Sequence, residues 1–135
     1  MSWKLIFGLS LSGIFMGLAT VFLIPPHLEP HCWFGILVVT GYAIAKYAPE
    51  RYFVHGLCVG LVASLWVSLA HYALADRYLA IHGRVLALVP PVASPPVLMA
   101  LAGGAAGIAA SLVLGLYAWV NSKYVVSAHS EFAGW

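Results

Sequence analysis

Four apolar stretches, separated by short polar segments, set the pattern of the chain. They cover residues 5–24, 30–47, 52–75 and 96–120. An α-helix rises about 1.5 Å per residue, so about 20 apolar residues cross a bilayer core of about 30 Å. The first and fourth stretches contain no Asp, Glu, Lys or Arg. The pattern predicts an all-α membrane bundle of four transmembrane helices with short loops, forming one domain over residues 1–135.

The second stretch is the weakest of the four. Its uncharged centre extends only from Trp33 to Ala45. A helix counted from Pro30 crosses the bilayer only if Lys46 extends its amine to the interface. A re-entrant segment is the alternative, because the uncharged centre is short for a span.

Proline and polar residues mark the ends of the predicted helices. Pro25 and Pro26 end the first helix, and Pro49 opens the third, where a missing N–H has little effect. The polar residues 121–123 follow the fourth helix. The apolar run Val85–Val89 is too short to span, and we expect it either to lie along the membrane interface or to cover the outer end of the bundle.

Small residues recur at every fourth position in the third and fourth stretches. Such rows lie along one helix face and let another helix backbone approach closely. The rows serve either to dock a partner subunit or to pack the helices of this chain together. We favour docking, because further small residues surround the fourth row and a bundle of this size has little interior. The predicted packing residues are Gly56, Gly60, Ser64, Ser68, Gly103, Gly107, Ser111 and Gly115.

Composition and charge agree with a lipid environment. The chain is 63% hydrophobic and 7% charged, whereas soluble domains carry about 25% charged residues. A net charge of +2, spread along the chain, argues against nucleic acid as a partner. The cationic residues favour an inner bacterial membrane with both termini in the cytoplasm. Lys4, Lys46, Arg51 and Lys123 then lie inside, and Arg77 and Arg84 lie outside.

Two histidines are candidates for cofactor binding. His71 continues the row of small residues on the third helix, so its side chain is expected to point towards protein. His71 and His31 both belong to the outer half of the bundle and could ligate haem or hydrogen-bond a quinone. The alternative is a neutral histidine bonded to a neighbouring helix. We predict no resident cofactor, with haem or quinone as the exception to test.

The segment from His27 to Cys32 gathers side chains that bind transition metals. It contains His27, Glu29, His31 and Cys32. Their spacing fits no established metal motif, so we interpret the segment as an interfacial loop and predict no metal.

These observations favour a non-enzymatic protein of the bilayer. No nucleophile has a base at a recognisable spacing, so no catalytic residue is predicted. The leading hypothesis is an accessory or structural subunit that packs, through its small-residue faces, into a larger membrane complex or against copies of itself. The alternatives are a homo-oligomeric small transporter or channel, and a haem- or quinone-binding electron-transfer subunit. We recognise no family in the sequence.

Overall fold

The computed structural model describes the backbone of residues 1–86 and 94–132, and the side chains of residues 1–83, 94 and 97–125. Within these residues all regular structure is helical, which confirms the all-α class. The helices are α1 (Trp3–Ser10), α2 (Ser12–Phe22), α3 (Glu29–Tyr47), α4 (Tyr52–Ala73), α5 (Ala75–Leu86) and α6 (Pro95–Phe132). The predicted run Val85–Val89 falls partly on residues 87–93, outside this description.

Three helical stretches are long and apolar enough to cross a membrane. They are Trp3–Phe22, Tyr52–Ala73 and Val97–Val125. The first combines α1 and α2, which meet at the turn residue Leu11, and Phe15 N–H donates to the Leu11 carbonyl over 3.3 Å. Three candidate spans indicate a multi-pass membrane protein that contacts the lipid bilayer.

Helix α3 does not belong to this group, although it forms where the sequence predicts a span. It is 19 residues long, with Glu29 in its first turn and Lys46 in its last. These charged ends shorten the apolar part of α3. The sequence pattern already indicates this, because the uncharged centre of the second stretch is short for a span.

The centre of the bundle is the antiparallel pair α4 and α6. The α1–α2 rod lies parallel to α4, because the Ser2 amide contacts His55 near the start of α4 and Thr20 contacts His71 near its end. Helix α3 lies against α6, where Gly41 faces the ring of Tyr117.

The two rows of small residues face one another across this central pair. A Cβ atom on Gly56 would lie 2.7 Å from the Gly115 Cα, and one on Gly107 would lie 2.6 Å from the Ser64 Cβ. Each step of four residues along α4 is matched by a step of four back along α6. The facing pairs are Gly56 with Gly115, Gly60 with Ser111, Ser64 with Gly107, and Ser68 with Gly103. The rows therefore pack within the chain.

Two helix ends differ from the positions that the sequence indicates. Helix α6 continues to Phe132, and Asn121 and Ser122 lie within it and donate to the carbonyls of Tyr117 and Trp119. Helix α4 begins at Tyr52, as the predicted span does, but Pro49 does not open it, because Arg51 has a left-handed backbone with φ of 54°.

Candidate functional site

A groove of about 570 Å³ opens between α4 and α6 at the end of the bundle where α5 begins. Its walls are mostly apolar, and α6 contributes mainly alanine and glycine. Polar and aromatic side chains gather at one end. The lining residues are Glu29, Trp33, Ser64, Leu65, Val67, Ser68, Leu69, His71, Tyr72, Tyr78, Met99, Ala100, Ala102, Gly103, Ala106, Gly107 and Ala110.

His71 lines the groove, and its ring is hydrogen-bonded to Thr20 on α2. Its Nε2 lies 2.8 Å from the Thr20 hydroxyl, whose single hydrogen is directed to the Gly17 carbonyl at 3.0 Å. When the hydroxyl donates to Gly17 it accepts from His71, and in that tautomer Nε2 carries the proton. The neutral ring then has an unprotonated Nδ1, which can accept a hydrogen bond from a ligand.

A stack of three rings lies beside the groove and consists of His71, Tyr78 and His82. The Tyr78 ring lies between the two imidazoles, with centroids 4.1 Å from His71 and 4.4 Å from His82. Tyr78 and His82 occupy one face of α5 because they are four residues apart. The chain changes direction at Leu74, the residue between α4 and α5, and this places α5 over the end of α4.

Glu29 adds a carboxylate to the same end of the groove. Its Oε1 accepts a hydrogen bond of 3.2 Å from the Trp33 indole, and its Oε2 lies 3.3 Å from His82 Nε2. The Glu29 side chain is 22% exposed. The N-terminal turn of α3 stabilises negative charge at this position. His82 is buried, and neither of its ring nitrogens forms a hydrogen bond within the described residues.

The electrostatic character of the groove is negative. Among the described residues that line it, Glu29 alone carries a formal charge. Burial, and then the nearby Glu29 carboxylate, raise the pKa of Tyr78 above its ordinary value of 10.0. Tyr78 therefore presents a neutral hydroxyl that can donate a hydrogen bond at physiological pH.

The structure separates the two histidines that the sequence suggests for a cofactor. His71 lines the groove, whereas His31 is exposed and is not among the lining residues. Of the predicted packing residues, Ser64, Ser68, Gly103 and Gly107 also line the groove. No group of three or more His, Cys, Asp or Glu side chains that could hold a metal occurs in the described part of the chain.

Sequence reasoning missed the aromatic side chains of this site and the position of Glu29 in it. The i, i+4 spacings of Glu29 with Trp33 and of Tyr78 with His82 were the available signal, since residues four apart share a helix face. That α5 folds back over α4 was not readable from these spacings.

The chain matches no family model, no curated protein and no solved structure.

Proposed function

We propose that this chain is a non-enzymatic membrane protein that binds a lipid-soluble small molecule in the groove between α4 and α6. The observation that carries the proposal is the cavity of about 570 Å³, apolar along its length and polar at one end. Ligand sites are typically concave and mostly apolar, with a few convergent polar groups. Here the polar groups belong to Glu29, His71 and Tyr78.

The position of the groove favours entry of the ligand from the bilayer. Leu65, Leu69 and Tyr72 line it and are 63%, 59% and 66% exposed, so the groove reaches the lipid-facing surface. A hydrophobic molecule dissolved in the membrane could enter sideways, with its polar end directed towards Glu29.

Purification from native membranes in a mild detergent tests this proposal. Ala105 and Ala106 are both exposed, but only Ala106 lines the groove. Ala106→Phe should fill the groove, and Ala105→Phe is the matched control. We expect mass spectrometry of organic extracts to find a small molecule with the wild type and with Ala105→Phe, and to find it depleted with Ala106→Phe. Identical extracts from all three proteins would contradict the proposal.

The membrane arrangement that we propose has four spans, with α3 as the additional one and both termini in the cytoplasm of a bacterial cell. Lys46 supports this, because its amine lies 5.4 Å from the centre of the Tyr47 ring, an arrangement suited to a membrane interface. A cytoplasmic reporter fused after Trp135 should be active. Activity of a periplasmic reporter at the same position would overturn the orientation.

An accessory subunit of a larger complex remains a second candidate. The rows of small residues are occupied within the chain, so a partner would use another surface, and we propose the outward face of α6. That face is smooth at Gly104, where an added Cβ would meet no atom within 4 Å. The same purification tests this candidate, since large subunits that co-purify with the wild type and are lost with Gly104→Leu would favour it.

A homo-oligomeric carrier would use the same groove. Ser64, Ser68 and His71 line the groove and would supply polar side chains to a conduction path. Transport would begin with binding of the substrate in this groove. Binding is therefore tested before transport.

A further inference from the structure

The groove has the chemistry to select among hydrophobic ligands by charge. Resting on the proposed function, we infer that its ligand is a lipophilic organic cation, such as an amine, a quaternary ammonium ion or a phosphonium ion carrying apolar groups. The inference depends on three features of the groove: its charge, its aromatic surface and its hydrogen-bonding groups.

The charge of the groove favours a cation. Glu29 is the only lining residue with a formal charge among those described, and its side chain is 22% exposed. A carboxylate beside apolar walls interacts more strongly with a ligand charge than one in open water, because the surrounding dielectric constant is lower. An anionic head, such as a phosphate or a carboxylate, would meet this carboxylate, and no Lys or Arg is found among the described lining residues to offset it.

The aromatic side chains add a second element of cation recognition. Trp33 and Tyr72 line the groove on two different helices. Cations are attracted to the faces of such rings, and Trp is the strongest. The hydrogen bond from the Trp33 indole to Glu29 holds the ring beside the carboxylate. The Tyr78 ring contributes little face, because it lies between His71 and His82.

The hydrogen-bonding groups favour a ligand that donates. The ionised Glu29 carboxylate accepts only, and the tautomer in which His71 donates to Thr20 leaves Nδ1 as an acceptor. The serine hydroxyl of Ser64 is directed to the Gly60 carbonyl at 2.8 Å. The hydroxyls of Ser68, Tyr72 and Tyr78 also line the groove and can donate as well as accept. The preference for an ammonium group over a quinone therefore depends on the Glu29 carboxylate, which only accepts and would not hydrogen-bond a quinone carbonyl.

Two probes of nearly equal shape and opposite charge test the inference. Tetraphenylphosphonium and tetraphenylborate are titrated by calorimetry into the full-length protein in detergent, in a potassium-free buffer that keeps the borate soluble. His71 and His82 lie near Glu29, and their protonation would repel a cation. The titration is therefore done at about pH 8, where imidazoles are ordinarily neutral.

We expect the wild type to bind the phosphonium at least tenfold more tightly than the borate. Glu29→Gln should weaken phosphonium binding by about tenfold, because it removes the charge while keeping the oxygen that accepts from Trp33. Glu50→Gln is the matched control, since Glu50 is 66% exposed in the turn between α3 and α4. Tyr72→Leu should weaken phosphonium binding by about two- to fivefold through the loss of one ring.

The outcomes separate this inference from the proposed function. If Ala106→Phe abolishes binding while the two probes bind equally, or while Glu29→Gln changes nothing, the groove binds ligands but does not select cations. If Ala106→Phe leaves wild-type binding of both probes unchanged, the groove is not the site and the proposed function fails as well. The comparison of the two probes on the wild type needs no variant to fold.

Discussion

The two histidines of α4 lie at opposite ends of the same helix and have different tasks. His55 is fully buried and both of its nitrogens are used: Nε2 accepts from the Ser2 amide at 3.0 Å, and Nδ1 lies 3.2 Å from the Arg51 carbonyl. Since Nε2 accepts, Nδ1 must donate. His71 uses one nitrogen for Thr20 and lines the groove. His55 therefore stabilises the packing of the helices, whereas His71 has a second ring nitrogen that can bind a ligand.

The same contrast is found in the packing of the central helices. At the His55 end, Gly56 brings the α4 backbone against the α6 backbone at Gly115, and no space remains. At the His71 end, a Cβ on Gly103 would meet only the Ser68 Oγ, at 3.3 Å. The helices therefore pack closely from the His55 end as far as Ser64 and Gly107, where the groove begins, and leave more room at Gly103. One row of small residues can thus serve both packing and binding.

The largest expected effect comes from removing the structural histidine. His55→Ala leaves the Ser2 amide without its acceptor and opens a cavity in the buried end. Loss of a large buried side chain typically costs about 2–5 kcal/mol, and a buried unpaired polar group adds to that cost. His71→Ala should cost less than half as much, since it removes a half-buried ring. Thermal unfolding in detergent measures both variants.

Equal losses of stability in these two variants would contradict the comparison. His71→Ala should instead change ligand binding, which Ala106→Phe also affects. If His71→Ala unfolded at as low a temperature as His55→Ala, His71 would itself be a structural residue.

Much of this contrast could be expected from the sequence, but the site could not. The spacing of four between small residues predicts a smooth face on α4 and on α6, and the position of His71 seven residues after Ser64 puts it on that face. These relations depend only on helix geometry. Which surface each row contacts depends on the tertiary arrangement, and the sequence equally allowed a partner subunit.

The aromatic end of the site depends on the backbone at a single junction. Tyr78 and His82 reach the groove end because α5 turns at Leu74 and lies over α4. Glu29 joins them because α3 begins one residue before Pro30. Neither feature produces a periodic pattern, so the sequence shows titratable residues on one side of the membrane without showing that they touch.

The last prediction compares the two ends through their glycines and has the smallest expected effect. Gly56→Ala places a methyl group 2.7 Å from the Gly115 Cα, where backbone must move. We expect a loss of about 1–3 kcal/mol, as is typical of overpacking. Gly103→Ala meets one serine side chain that can rotate, so its cost should be below about 1 kcal/mol.

Gly104→Ala is the control for the glycine pair, because it lies on α6 beside Gly103 and an added Cβ would meet open space. Alanine favours a helix over glycine by up to about 1 kcal/mol, so this variant should be as stable as the wild type or more stable. The expected order of unfolding temperatures is therefore Gly104→Ala highest, Gly103→Ala next and Gly56→Ala lowest. If Gly103→Ala were as damaging as Gly56→Ala, the helices would be equally close at both ends, and the space assigned to the groove would not exist in the membrane.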